Sequence, residues 1–215
     1  AKISEWQGGK LKWLLDSPEC LAAVQFLQKM MKEGTMDPGS PTYYQQQIAD
    51  LFGKGHAAMF VNWDMMQLAF KDPAQTPYAG KIKAATMPGA KPGLSGSIEG
   101  HEYMAVPSPS LHKDAAKKFM KYVTSASNQK IRAIESGQTP VLKELFNDPD
   151  VKKVIPLDVI FQSSKNCYYR PAIPEYTQCS DIISTEVQNV LVNNKDAKQA
   201  LIDANNKCNA LLGWK

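Results

Sequence analysis

Apolar residues recur at three- and four-residue steps through most of this chain, and at strand-like runs in only a few places. The first helical pattern opens at Ser17-Pro18-Glu19. Ser17 can cap free amides, Pro18 suits the first helical position, and Glu19 favours the positive end of the dipole. Cys20, Ala23, Val24, Leu27, Met30 and Met31 then repeat at helical spacing until Gly34. A second short helix fits Thr42 to Phe52, closed by Gly53 and Gly55. Ala57 to Val61 is an apolar run of strand length and predicts a buried strand. Asn62-Trp63-Asp64 lies at its carboxyl end, and Met65 to Phe70 reads as one or two helical turns.

Lys81 to Met87 predicts a second strand, stopped by Pro88-Gly89. The stretch from Pro88 to Gly100 carries four glycines, two prolines and two serines, a long loop of the kind that often has a function. His101 to Val106 resumes as a strand. Ala116, Phe119, Met120 and Val123 mark an amphipathic helix from about Lys113 to Ser125. After Gln129 the texture is helical and broken by prolines: Gly137 is a terminator, and Asp148-Pro149 a new start. Asn166 to Pro174 is extended, because residues before proline avoid the helical region. Ile182, Ile183, Val187, Val190 and Leu191 place one helical face on a core. Ala197, Ala200, Leu201, Ala204, Cys208 and Leu211 do the same after a break at Asn193-Asn194. There is no internal repeat. The sum is an α/β arrangement with many helices and few strands, some of which lack partners within the chain.

Composition narrows the function more than the fold. With 215 residues, 43% hydrophobic and 21% charged, the chain is an ordinary globular one, and its net charge of +4 is dispersed. Only Arg132 and Arg170 are arginines, and no basic stripe with interleaved aromatics suggests a nucleic-acid partner. No apolar run approaches the ~18 residues of a membrane span. Ala1 to Lys12 lack the regions of a signal peptide, so an export signal has been removed or the chain begins downstream of one. The four cysteines, Cys20, Cys167, Cys179 and Cys208, are either buried free thiols or form one or two disulfides. Cys167 and Cys179, which flank a proline-rich turn, are the pair placed for a bridge within one segment. His56, His101 and His112 are scattered, so no metal site or cofactor is expected.

No nucleophile elbow, H-E-x-x-H, Walker A loop or G-x-G-x-x-G occurs. Gly93-Leu94-Ser95-Gly96-Ser97 runs between expected strands and not into a helix, which argues against phosphate cradling. Glu99 and Glu102 form a nominal carboxylate pair for a glycosidase, a pairing common by chance. Binding signals are stronger. Trp63 at the carboxyl end of a strand occupies the place where open α/β sheets receive ligands. Its indole could stack on a pyranose, with Asn62 and Asp64 offering hydrogen bonds, or it could fill a core. Tyr168, Tyr169 and Arg170 are either a packing turn or ligand contacts, and Glu99, His101 and Glu102 lead from the loop into a strand.

Taken in order, these segments resemble the extracellular solute-binding proteins of family 1, the maltose-binding-protein-like sugar binders of ABC importers. The resemblance runs from about Leu15 to Leu211. Leu15-Asp16-Ser17-Pro18-Glu19 opens a helix ending at Gly34. Phe52-Gly53-Lys54-Gly55-His56-Ala57-Ala58-Met59 resembles the family's F-x-x-G-x-A-A-M run into a strand and a tryptophan. Tyr103-Met104-Ala105-Val106 follows a glycine-rich loop as in its GG-x-x-x-A-I strand, and Lys113 to Phe119 matches a K-x-x-A-x-x-F helix. Gly137-Gln138-Thr139-Pro140 resembles a G-x-x-P turn, Pro171 to Tyr176 precedes the long helix, and Ala197 to Ala204 resembles the closing A-L-x-x-A helix. Each motif alone is unspecific; their shared order is not.

The resemblance implies a type II periplasmic-binding-protein-like fold, two lobes closing over a ligand cleft. This chain, residues 1–215, would be the carboxy-terminal portion, with about 80–110 crossing to a largely absent amino-terminal lobe. It implies an extracytoplasmic monomer, not an enzyme, that binds a mono- or oligosaccharide reversibly and delivers it to the transmembrane subunits of an ABC permease. Trp63 then stands in the position of a sugar-stacking aromatic, residues 99–102 in a ligand-touching loop, and Tyr169 and Arg170 near the cleft. Two departures bear on the ligand: Cys179-Ser180 stands where the best-known member has an aromatic, and Glu99 replaces the first glycine of the usual pair. An acidic lining of Glu99, Glu102 and Asp64 would suit an amino sugar or another cationic solute. The competing class is a carbohydrate-active enzyme using the loop carboxylates.

Overall fold

Helices form where the sequence supplies both a start signal and an apolar stripe, and the computed structural model, which describes residues 2–90 and 95–214, bears this out. In chain order there is a hairpin of β1 (Ser4–Gln7) and β2 (Lys10–Trp13), then helices α1 (Pro18–Lys32) and α2 (Gln45–Gly53). A two-residue strand β3 (Ser97–Ile98) precedes α3 (Lys113–Val123), α4 (Ala126–Ser136), α5 (Pro149–Val154) and α6 (Leu157–Ser164). A second short strand, β4 (Cys167–Tyr168), leads to α7 (Tyr176–Val192) and α8 (Ala197–Leu211). Segments of 3-10 helix occur at Ser40–Thr42, Asp64–Lys71 and Lys143–Asn147. The side chain of Ser17 accepts from the Cys20 amide as expected, Asp148 caps α5, and Gly137 ends α4 with a φ of 69°.

Two compact units divide these elements. The first comprises Ala1–Tyr43 and Arg170–Lys215. Its core gathers Leu11, Trp13 and Leu15, then Cys20 and Val24 of α1, Cys179 and Val190 of α7, and the α8 stripe Ala197, Ala200, Leu201, Ala204, Cys208. Asn209 of α8 extends the hairpin's polar pairing: its carbonyl accepts from the Trp13 amide at 2.8 Å, and its NH2 donates to the Trp13 carbonyl at 3.1 Å. Buried Glu186 accepts from Lys195 and Lys207, each at 2.6 Å. The hairpin itself turns on Gly8 and Gly9, at φ 56° and 79°, the backbone of a two-residue turn matched to strand twist. No strand is expected at that place from the apolar pattern, because β1 and β2 span only four residues each.

The second unit is Tyr44–Tyr169. Phe52, Phe60 and Phe70 form an aromatic triad, one pair stacked at 4.3 Å and two edge-on at 5.2 and 5.4 Å. Ala133, Val151, Ile155 and Leu157 form a separate small core. Lys71 joins the two by donating to the carbonyls of Lys153 and Val154 at the end of α5.

The three strands expected in this unit are corrected. Ala57–Val61, Lys81–Met87 and His101–Val106 form no ladder among the described residues. Met59 and Val61 are 86% and 64% exposed, so the run expected to be a buried strand lies open. A strand needs a neighbouring strand for its amides and carbonyls, and among the described residues none pairs with these segments. The strand pairing that does form is the short parallel one, Ser97 with Cys167 and Ile98 with Tyr168. Helix α3 sits where its pattern predicts, yet it buries no residue fully, and Phe119 is 58% exposed. The Gly93-Leu94 part of the glycine-rich loop lies outside the described residues.

Candidate functional site

The site forms where the 3-10 helix at Asp64–Lys71 begins. Asn62 donates from its amide to the Gln45 carbonyl at 2.8 Å and accepts the Trp63 backbone amide at 2.8 Å. Asp64 accepts from the Met65 amide at 2.9 Å and from the Thr139 hydroxyl. Both polar neighbours of Trp63 are thus committed to backbone and to the Gly137–Pro140 turn, and their work is to fix the tryptophan. Gly137 lets that turn approach: a Cβ there would lie 2.9 Å from the Leu68 Cβ and 3.0 Å from the Met65 carbonyl.

Trp63 is not a core residue. It is 42% exposed, and one ring edge rests on Gly100, where an added Cβ would stand 2.8 Å from Cζ3 and 3.1 Å from Cη2. A glycine at 100 therefore lets the indole sit directly on the backbone, braced on that edge.

Beside it, the β3–β4 pair brings two chain segments together. The Glu99 amide donates to the Tyr168 carbonyl at 3.0 Å, continuing the ladder by one bond. The Glu99 carboxylate receives His101 Nε2 at 2.8 Å and the Cys167 thiol, and Cys167 is also hydrogen-bonded to Tyr169. That hydrogen bond to Glu99 raises the Cys167 thiol above its ordinary pKa, with burial and the carboxylate's charge acting in the same direction. The proximity and hydrogen bond of Cys167 raise the Tyr169 phenol in turn, with Glu99 adding to it. Both groups therefore stay protonated at neutral pH and act as neutral donors. The His101 ring meets Tyr103 edge-on at 6.4 Å.

Of the residues singled out in the sequence, Trp63, Glu99, His101 and Tyr169 fall into this one cluster, with Asn62 and Asp64 supporting it. Glu102 is exposed and out of step with the contacts, which run Glu99, His101, Tyr103 at two-residue intervals. Arg170 is exposed and belongs to the first unit. Of the two alternatives for the cysteines, free thiols or one or two disulfides with Cys167–Cys179 as the candidate bridge, the structure has free thiols at all four. Cys167 is held by Glu99 instead. Cys167, Tyr103, Gly100 and Thr139 were not foreseen. Period-two spacing carried a signal for the first two, since Cys167 and Tyr169, and Glu99, His101 and Tyr103, each fall on one face of an extended segment.

Among the described residues, no group of three or more His, Cys, Asp or Glu is arranged to hold a metal ion, and no helix is long and apolar enough to cross a membrane. The site offers an aromatic face, a carboxylate and neutral hydroxyl and thiol donors, a set suited to holding a polar molecule by its face and edges.

The helix-rich fold is that of the maltose-binding-protein-like solute-binding proteins. It superposes on maltose-bound T. maritima MalE3 with a TM-score of 0.88 at 27% identity, covering 98% of this chain and 54% of that one. A solute-binding protein of an ABC transporter from Agrobacterium radiobacter K84, in complex with ribitol, gives 0.82 at 28% identity, with coverage of 93% and 51%. The sequence profile of the bacterial extracellular solute-binding proteins matches residues 2–130, and the chain belongs to that family. A protein of Deinococcus radiodurans described as a probable ABC transporter-binding protein is 29% identical over 209 residues, which are 93% of this chain and 49% of the relative. The chain thus spans about half the length of the curated relatives it matches.

Proposed function

We propose that this chain is the carboxy-terminal portion of an extracytoplasmic binding component of an ABC importer, which takes up a carbohydrate or polyol reversibly and passes it to a membrane permease. Trp63 carries the reading: an indole seated on the Gly100 backbone, 42% exposed, with the Glu99, Cys167, Tyr169 and His101 donors and acceptors in its unit. Its exposed face stacks on the C–H face of a sugar ring. Glu99 accepts ligand hydroxyls, and Tyr169 and His101 supply further polar contacts. Asn62 and Asp64 hold the platform. The bound maltose and ribitol of the two relatives above support this ligand class. The reading requires no bond making at the site.

Residues 80–110 and α3 belong in this reading to the part of the protein that adjoins an amino-terminal lobe. The half-length match, the absence of a strand at 57–61 and 81–87 among the described residues, and the exposed Phe119 all support it. The protein acts as a monomer outside the cytoplasm, facing the permease's transmembrane subunits.

Calorimetry of the full-length protein against a panel of mono- and oligosaccharides, polyols and amino sugars tests the reading. The exposed part of Trp63 is roughly 100 Å², and covering it is worth roughly 2.5 kcal/mol at about 25 cal/mol per Å². Trp63→Ala should therefore weaken binding about sixtyfold. Undiminished binding in that variant would remove Trp63 from the site, and conversion of an oligosaccharide by the native protein would overturn the binding role.

A further inference from the structure

Helices α7 and α8 follow one another through a four-residue connection, Asn193 to Asp196, and so run antiparallel. Their contact is built on small residues. Ala200, Ala204 and Cys208 recur every fourth residue along α8, each no more than 1% exposed, and such a stripe lets two helix backbones approach closely. At the end of that stripe Cys208 meets Cys179, near the start of α7. Both are fully buried, the Cys208 thiol lies 3.7 Å from the Cys179 carbonyl, and the two thiols are hydrogen-bonded. The other two cysteines are engaged elsewhere: the Cys20 thiol donates to the Leu14 carbonyl at 3.7 Å, and Cys167 is held by Glu99 in the second unit.

We infer that Cys179 and Cys208 form a structural disulfide that ties α7 to α8 when the protein folds under oxidising conditions. The biological occasion rests on the extracytoplasmic location proposed above; the chemistry does not. Burial, with Cys179 beside it, pushes the Cys208 thiol up to about 12, so in the finished fold the thiolate needed for exchange is scarce. The bond therefore forms as the helices dock, before the pair is closed off. One thiol is deprotonated and attacks a low-molecular-weight disulfide, and the resulting mixed disulfide is then displaced by the second thiolate. The two protein thiols lose two protons and two electrons in total, and the oxidant leaves as two thiols. The cross-link closes the chain from Cys179 to Cys208 into a loop, and so restricts the unfolded chain.

The test is to reduce and unfold the full-length protein, refold it in a reduced and oxidised glutathione buffer, and label free thiols in denaturant. Digestion with trypsin and a glutamyl endopeptidase is needed, since Cys167 and Cys179 share a tryptic fragment that is cut after Glu175. The expected product is a peptide pair joining Cys179 to Cys208, two hydrogens lighter, with Cys20 and Cys167 labelled. The oxidised protein should melt about 5 °C or more above its reduced form. That difference should vanish in the Cys179→Ala/Cys208→Ala double variant and persist in Cys20→Ala. If the double variant does not fold, the peptide map of the native sequence decides alone. Labelling of all four cysteines, or a cross-link through Cys20 or Cys167, would overturn the assignment. Failure of the protein to bind any sugar would leave it untouched, because neither readout involves the ligand site.

Discussion

Gly100→Ala probes the tryptophan platform without touching the tryptophan. The new Cβ would stand 2.8 Å from Cζ3 of Trp63, against an ordinary carbon contact of about 3.7 Å, so the ring must shift by roughly 1 Å. Gly100 has no positive φ that would strain an alanine. The indole is 42% exposed. Restricting the unfolded chain stabilises by about 0.4–1 kcal/mol, which offsets most of the displacement, so the melting temperature should move by no more than about 3 °C. Binding should respond differently. A radial error of 0.5–1 Å forfeits about a quarter to a half of a dispersion contact. Applied to the roughly 2.5 kcal/mol of a covered Trp63 face, that loss is about 0.6–1.3 kcal/mol, or three- to tenfold in affinity. Calorimetry with the best ligand of the panel reads the affinity, and a thermal melt reads the fold. Gly96→Ala is the control, since nothing lies within 4 Å of a Cβ at that position. Equal affinities in Gly100→Ala and the native protein would refute the claim that the ring's seat on Gly100 sets the ligand position.

Two further outcomes concern the first unit. Asn209→Ala removes both hydrogen bonds to the Trp13 backbone, leaving a buried donor and acceptor unmet, and should cost about 2–4 kcal/mol in denaturant unfolding. A loss under 1 kcal/mol would mean the pairing is redundant. Burial alone would raise the Glu186 carboxyl, but hydrogen bonds from Lys195 and Lys207 prevail and hold it below the usual carboxylate range. Its contribution is therefore present above the unfolded carboxylate pKa and is lost as the pH falls through the lowered folded value. Glu186→Gln should be about 2 kcal/mol less stable at pH 7, allowing for solvent on the lysine side, and the deficit should shrink below about pH 4. A deficit that stays constant from pH 7 to pH 3 would show that shape, not charge, is at stake.

The helices were legible because their signals are local. Ser17, Asp148-Pro149 and Gly137 act on the turn they sit in, and the apolar stripes of α1, α7 and α8 report burial against neighbours within the same unit. The strands were not legible in the same way. Ala57–Val61 has the composition of a buried strand, but a ladder is a property of two segments, and the described residues supply no second one. The pattern therefore signals a burial that the described residues do not supply, and Phe119 of α3 is exposed in the same way. The strand contact that does matter, β3 with β4, is two residues long and joins positions 70 apart, below any period a sequence can display.

The site was half legible for a related reason. Trp63 stood out by type and by its place after an apolar run, yet nothing local distinguished a platform from a core residue; Gly100 does, by leaving room for the ring. Glu99 and Glu102 looked equivalent as neighbouring carboxylates, and the two-residue alternation separates them: Glu99 shares a face with His101 and Tyr103, and Glu102 does not. In sequence, Cys167 is a candidate half of a bridge only because Cys179 lies along the same proline-rich segment. Its nearest chemistry is the Glu99 carboxylate across the short parallel pair, while Cys179 faces Cys208. A cysteine count limits how many bridges can form, but only packing decides which thiols meet. Here the packing sends one cysteine to the Glu99 cluster and two to a helix interface.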